Sequence, residues 1–262
     1  MKRYTTVHPL FMSFYSKSLY QDVGKNWRNI AFFYLFLLSA VCLIPIMFRV
    51  HSSVSEYLNS KSPEIVKQVP VITIAGGVAS VHEVMPYVIK DPDNGTPLII
   101  IDTTGKTTSL DGTGAMFLLT KSALLFKGSS RETRTLNLSE IGDLTIDQAQ
   151  VYGWIETFLD YFIFVFYPFA LLITFLLRIV EALIFSAIGI FLVKKLGAPL
   201  GYRSVMSLAM VSMTPSVLLD TIYNYLDINF PLWWVLNFVI AIAYYLFAIK
   251  SSLENEMRGT VV

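Results

Sequence analysis

The chain has 262 residues, 54% hydrophobic and 14% aromatic, with a mean hydropathy of +0.57 and a formal net charge of +1. That is too apolar for an ordinary soluble domain of this length, and basic residues that cluster only beside apolar runs exclude a nucleic-acid binder. The single cysteine, Cys42, excludes an internal disulfide framework, so any exported domain must fold on its own core.

Residues 1–29 carry Lys2, Arg3, Lys17, Lys25 and Arg28 around a stripe of Leu10, Phe11, Phe14, Tyr15, Leu19 and Tyr20. The spacing predicts a helix lying on the cytoplasmic face of a bilayer, with a partly ordered tail as the alternative. Ile30 to Phe48 contains no charge over about 19 residues, enough to cross ~30 Å of hydrocarbon as the first span. Basic residues before it place the N-terminus in the cytoplasm, and Pro45 is expected to bend or end the helix.

Residues 51–150 form the expected soluble domain, and their grammar is mostly that of strands. β-rich runs fall at 69–75, 85–91, 96–105, 115–128 and 134–141. Asp91-Pro-Asp-Asn-Gly95 predicts a hairpin turn, and Thr120-Lys121-Ser122 a second one. Asp147 is expected to cap a helix that feeds the long apolar run from Phe158 to Lys195.

Charge divides the remainder. Lys194, Lys195 and Arg203 flank a loop without acidic residues, KKLGAPLGYR, which the positive-inside rule places in the cytoplasm. One crossing before that loop ends near Thr174 and leaves Trp154 to Ile173 as an interfacial, re-entrant or domain-packed segment. Met206 to about Ile222 is the next span, bent at Pro215, and Asp220 and Asp227 mark an outer loop. Leu232 to Ile249 is the last, with Trp233-Trp234 and Tyr244-Tyr245 as interfacial belts, and residues 251–262 form a cytoplasmic tail. The expected fold is therefore an α-helical integral membrane protein of four spans, 30–50 and three within 151–250, with an inserted β-rich extracytoplasmic domain. A five-span alternative breaks the long run at Pro168.

The stretches TPLIIIDTTGKTTSL, FLLTKSALLFK, TRTLNLSEIGDLTIDQ and IFSAIGIFLVKKLGAPLGYRSVMSLAMVSMTPSVL make the chain resemble the DUF1189 family of bacterial inner-membrane proteins. Some members bear the name of maltodextrin-utilisation accessory proteins. The last stretch is also similar to the Yip1-type membrane domain, in which a basic, Gly-containing loop precedes a span with a Pro after small residues, here Ala209 to Pro215. The resemblance implies a multi-pass bacterial inner-membrane location and, through the Yip1 type, a link to membrane trafficking and shaping. It carries over no catalytic or binding residues.

Arg178 and Glu181 are the ionisable residues well inside an apolar run after the first span, and their spacing puts them on one helix face. They mark either a polar seam for an ion, a lipid headgroup or a partner helix, or an arginine that snorkels with its carboxylate partner. His8, His51 and His82 lie in separate segments, so no metal site or cofactor is expected. Asp102-Thr103-Thr104-Gly105 has an inserted Thr and occurs once, which reads as a strand ending in a turn rather than half of an aspartic dyad. Gly76-Gly77 and Gly112-Thr113-Gly114 fit turns rather than phosphate loops. Ser186, Ala187, Gly189, Ser204, Ser207, Ala209 and Ser212 are small residues at helix-packing spacings. The expected role is a non-enzymatic accessory, scaffold or sensor that meets membrane lipids and a membrane-protein partner or a second copy. The alternative is a small transporter or lipid-handling protein using the Arg178/Glu181 seam.

Overall fold

A computed structural model describes residues 3–129, 132–195 and 200–259. The chain divides into one unit of Met1–Val50 with Ile163–Val262 and another of His51–Phe162. Among the described residues seven α-helices and eight strands run in the order α1 (Pro9–Met12), α2 (Lys17–Asn26), α3 (Ile30–Val66), β1 to β8, α4 (Gln148–Lys195), α5 (Tyr202–Ser212), α6 (Thr214–Tyr225) and α7 (Trp233–Gly259). Among the same residues four helical stretches are long and apolar enough to cross a membrane: Ile30–Val66, Gln148–Lys195, Tyr202–Tyr225 and Trp233–Glu254. The expected divisions at 50/51 and 150/151 fall inside α3 and α4.

In the helical unit the centre is α5 and α6, where every residue from Val205 to Val217 is buried. A helix that is apolar on all sides belongs in a core, and the other helices surround it. The break between α5 and α6 lies at Met213, one turn-start ahead of Pro215, as the sequence leads one to expect. Proline supplies no N–H for the Val211 carbonyl, and Thr214 Oγ1 donates to that oxygen at 2.7 Å instead. The expected end at Pro45 is not found: α3 continues through it to Val66, because a single missing N–H is tolerated where neighbouring helices hold the backbone.

The expected surface helix at the N-terminus is corrected too. α2 packs on α5 and α7, with Leu19, Tyr20, Val23 and Trp27 in the core, while Phe11 and Tyr15 of the supposed stripe are exposed. The stripe is broken because the chain turns at Ser13–Ser16, where Ser16 Oγ caps Leu19 N of a new helix. At the other end residues 251–254 are no free tail. α7 runs on, Ser251 and Ser252 are buried, and Lys17 pairs with Glu254 at 2.8 Å.

α4 is one helix of 48 residues with Pro168 inside it, about 72 Å long at 1.5 Å per residue. The hairpin needed for five spans is therefore absent from the described residues, and Trp154 to Ile173 is a continuation of the same helix rather than a separate segment. α4 meets α3 through Tyr167, whose hydroxyl donates to Ala40 O at 2.8 Å, and through the edge-to-face rings of Phe36 and Phe175. Near its C-terminal end it approaches α7 and α5 at Gly189. A Cβ there would lie 1.7 Å from Tyr245 Oη and 2.8 Å from Val205 Cγ1, so glycine is required for close approach. Tyr245 is thus buried, stacked on Phe185 at 5.7 Å, and is not the interfacial belt residue expected from its neighbour Tyr244.

The unit of residues 51–162 contains two sheets. A three-stranded antiparallel sheet has the order β2 (Val78–Val81), β1 (Ile72–Ala75), β8 (Leu144–Ile146). A five-stranded sheet has the order β3 (Tyr87–Lys90), β4 (Pro97–Asp102), β5 (Phe117–Thr120), β6 (Ala123–Ser129), β7 (Glu132–Asn137), with only β4 and β5 parallel. Both expected hairpins are present, at 91–96 and at Lys121-Ser122. β2 and β8 fall outside the β-rich runs of the sequence: β8 has three residues, and β2 places Ala and Ser between its two valines. The β1–β2 turn is Gly76-Gly77 with φ of 55° and 79°, the left-handed pair that a tight two-residue hairpin demands. Asp147 caps α4 through Gln150 N at 2.8 Å.

Gly189→Ala should lower the stability of the detergent-solubilised protein by ~1–3 kcal/mol through overpacking. Thermal melts followed by size-exclusion chromatography would read this, and the same substitution in a Tyr245→Ala background should cost less, leaving only the contact with Val205 Cγ1.

Candidate functional site

The polar groups of the helical unit gather in two places. The first joins α4, α6 and α7 around Arg178. Its guanidinium donates to Glu181 Oε2 at 2.8 Å and to Asp220 Oδ2 at 3.2 Å, and the other oxygen of Asp220 accepts from Trp233 Nε1 at 3.0 Å. Trp233 stacks in turn on Tyr223, ring centres 4.1 Å apart. The sequence-predicted pair is thus assembled as expected from its i, i+3 spacing, but Asp220 is a third member rather than a loop marker. One signal could have found it: Asp220 lies five residues after Pro215 on an otherwise apolar helix, where a charge needs a partner. Arg178 is 18% exposed, and Glu181 and Asp220 about 30%. Close by in sequence, Arg49 at the end of the first apolar run pairs with Asp227 at 2.6 Å and donates to Asn224 O. Asp227 takes a φ of 54° just past the end of α6, which ends the helix.

The second place, around Asp22, was not foreseen. This buried carboxylate accepts from Arg3 N at 3.0 Å, Tyr4 N at 3.2 Å, Asn26 Nδ2 at 2.7 Å and Trp27 Nε1 at 3.0 Å. Burial pushes its pKa up, but the hydrogen bonds from Asn26, Arg3, Trp27 and Tyr4 outweigh it and hold the carboxyl below its ordinary value. Asp22 is a fastening: it ties the N-terminal segment at Arg3 and Tyr4 to α2.

Lys194 and Lys195 occupy the exposed last turn of α4, and Arg203 the exposed first turn of α5. Cations at a helix C-terminus complement its dipole. Residues 196–199 of the expected basic loop lie outside the described residues. Pro215 is buried at the α5–α6 break. Of the small residues, Ser186, Gly189, Ser207, Ala209 and Ser212 are buried; Ser186 Oγ reaches Ala182 O and Met206 Sδ, and Ser207 Oγ bonds Trp27 O, so they serve helix contact.

In the β unit Asp102 ends β4 and holds the following turn. It accepts from Thr104 Oγ1 at 2.5 Å, Thr104 N at 2.9 Å and Thr107 N at 2.6 Å. Burial alone would raise its pKa, yet these hydrogen bonds bring it down to about 2. With both oxygens accepting from the residues that follow β4, the carboxylate acts as a turn clasp. His8 and His51 are engaged with Thr5 and with Leu159 O. Among the described residues no three His, Cys, Asp or Glu side chains group as a metal site.

A cavity of about 490 Å³ opens in this unit between the apolar faces of both sheets, the Tyr57–Val66 part of α3 and the first turns of α4. A family model described as protein of unknown function (DUF1189) matches residues 7–249. The chain belongs to this family. No curated protein and no solved structure matches it. The match covers both units of the DUF1189 chain, including the Arg178 network and the cavity.

The clasp carries a pH signature. Because the folded pKa of Asp102 lies below the ordinary carboxylate value, its stabilisation is present above about pH 4 and lost as pH falls through about 2. Asp102→Asn should therefore destabilise the β unit by ~2 kcal/mol near neutral pH, and thermal melts of variant and wild type should converge toward pH 2.

Proposed function

We propose that this DUF1189 chain is a non-enzymatic, multi-pass protein of the bacterial inner membrane. In this reading four spans hold an extracytoplasmic β domain that serves an envelope or transport complex as accessory, scaffold or sensor. The four apolar helices support the membrane location, and the exposed apolar face of α4, from Phe164 to Phe191, needs a non-aqueous neighbour. Lys194, Lys195 and Arg203 would then lie on the cytoplasmic side with the N-terminus, and residues 51–162 outside.

The observation that carries the accessory role is the state of Arg178. Both arms of its guanidinium are taken by Glu181 and Asp220, and Asp220 also holds Trp233. The most conspicuous charge of the bundle is thus used to join helices, whereas a permeation path needs polar groups that face a changing partner. We infer further that 184–218 is a Yip1-type module, and that the maltodextrin-utilisation name of some relatives points to a transport partner. The alternative, a small transporter or lipid-handling protein, is favoured by one feature: the network holds two carboxylates against one guanidinium.

Purification of tagged protein from its native membrane should bring down a stoichiometric membrane-protein partner. The triple variant R178M/E181Q/D220N, which leaves the cluster uncharged, should retain it. Isolation of the chain alone with a specific lipid, or loss of function in a stably expressed triple variant, would move the reading to the alternative.

Topology is checked separately. A cysteine at the exposed Asn94 turn, in a Cys42→Ser background, should react with an impermeant maleimide in intact spheroplasts, and one at Lys195 only after lysis. The reverse pattern would sink the proposed orientation.

A further inference from the structure

The cavity in residues 51–162 is lined by aliphatic side chains from every layer around it: Ile65 of α3, Ile72 and Ile74 of β1, Ile101 of β4, Leu119 of β5 and Leu124 of β6. The space is a half-open pocket of about 490 Å³ with an almost wholly apolar lining. It falls within the ~300–1,000 Å³ of small-molecule sites. Water would find few partners in it, since Tyr57, Lys61, Ser62 and Trp154 are the lining residues with polar side-chain atoms.

The same lining restricts the occupant. A sugar, nucleotide or peptide would bring many polar groups into a space with almost none to receive them. A flexible hydrocarbon chain brings none. Lys61 is the one charged residue of the described lining; its ammonium pairs with Asp93, which lies outside the lining, and its side chain is 31% exposed. A cation at the edge of an apolar cavity suits a ligand with an anionic end and an aliphatic body. The two helices that wall the cavity also carry the apolar runs 30–48 and 158–193, the source of such chains on the membrane reading.

We propose that this cavity binds one long acyl chain of an anionic lipid, either a free fatty acid with its carboxylate toward Lys61 or an anionic phospholipid with its headgroup phosphate there. Only the supply of the chain rests on the membrane reading, and the maleimide labelling tests that independently of ligand binding.

The test uses the full chain in nanodiscs with two probes, a diazirine-bearing palmitic acid and a phosphatidylglycerol with the diazirine in one tail. After illumination, crosslinks mapped by mass spectrometry should fall on Ile65, Leu124, Ile146 and their neighbours, and excess unlabelled ligand should remove them. Labelling by one probe and not the other identifies the source. Leu124→Trp, which fills the cavity, should reduce cavity crosslinks about tenfold. Lys61→Glu, at the edge, should reduce them severalfold without touching the core. Crosslinks confined to residues 30–48 and 158–193 in the wild type would mean surrounding lipid only and would overturn the proposal, as would cavity crosslinks that neither variant alters.

Discussion

The helical unit depends on the break at Met213. Thirteen consecutive residues, Val205 to Val217, are buried, and Pro215 in their midst leaves the Val211 carbonyl without its helical N–H. A buried carbonyl left bare costs ~1–3 kcal/mol, and Thr214 Oγ1 offsets that by donating to Val211 O. Ser212 Oγ and Ser216 Oγ donate to Ala209 O and Met213 O, which also accept the backbone N–H of Met213 and Val217. Thr214 Oγ1 also lies 2.6 Å from Tyr34 Oη, so the repair of α5–α6 fixes α3 beside it. Thr214 is therefore the residue that both mends the break and joins it to a neighbouring helix.

Charges in this unit follow the same economy. Asp22 receives donors from the N-terminal segment and from its own helix, Arg178 is shared between two carboxylates, and Arg49 closes on Asp227. Each of these ionic groups joins segments distant in sequence or caps a chain turn. Partial exposure keeps the desolvation cost of the two arginine clusters modest, and the buried Asp22 is offset by its donors.

What could be read from the sequence follows the range of the interactions involved. Hairpin turns at 91–96 and 121–122, the Asp147 cap, the Pro215 break and the Arg178–Glu181 pair rest on contacts within a few residues, and all are found. Tyr245 reads as interfacial beside Tyr244 because nothing local says that Gly189, 56 positions earlier, leaves room for its ring. Leu19 and Tyr20 share the amphipathic stripe of a surface helix, and only α5 and α7 decide that they are core. Pro45, read as bending or ending its helix, does not end it when apolar residues continue on both sides, and α4 runs through Pro168 as the four-span reading requires. The cavity lay beyond any periodicity, since its walls come from β1, β4, β5, β6 and two helices whose facing sides meet only after folding.

On the membrane reading, these exceptions share a cause. In lipid, apolar side chains gain little by leaving the bilayer for a neighbouring helix, so hydrophobic burial cannot choose which helices meet. Shape and polar pairing must choose instead. Gly189 against Tyr245 admits one close approach, Tyr34 with Thr214 fixes another, Tyr167 with Ala40 a third, and Arg178 draws α6 and α7 to α4. Hydropathy finds the helices, and a handful of glycine, hydroxyl and ionic contacts arranges them. In the β unit burial from water drives assembly in the ordinary way, and an unfilled apolar space is correspondingly harder to explain without a ligand.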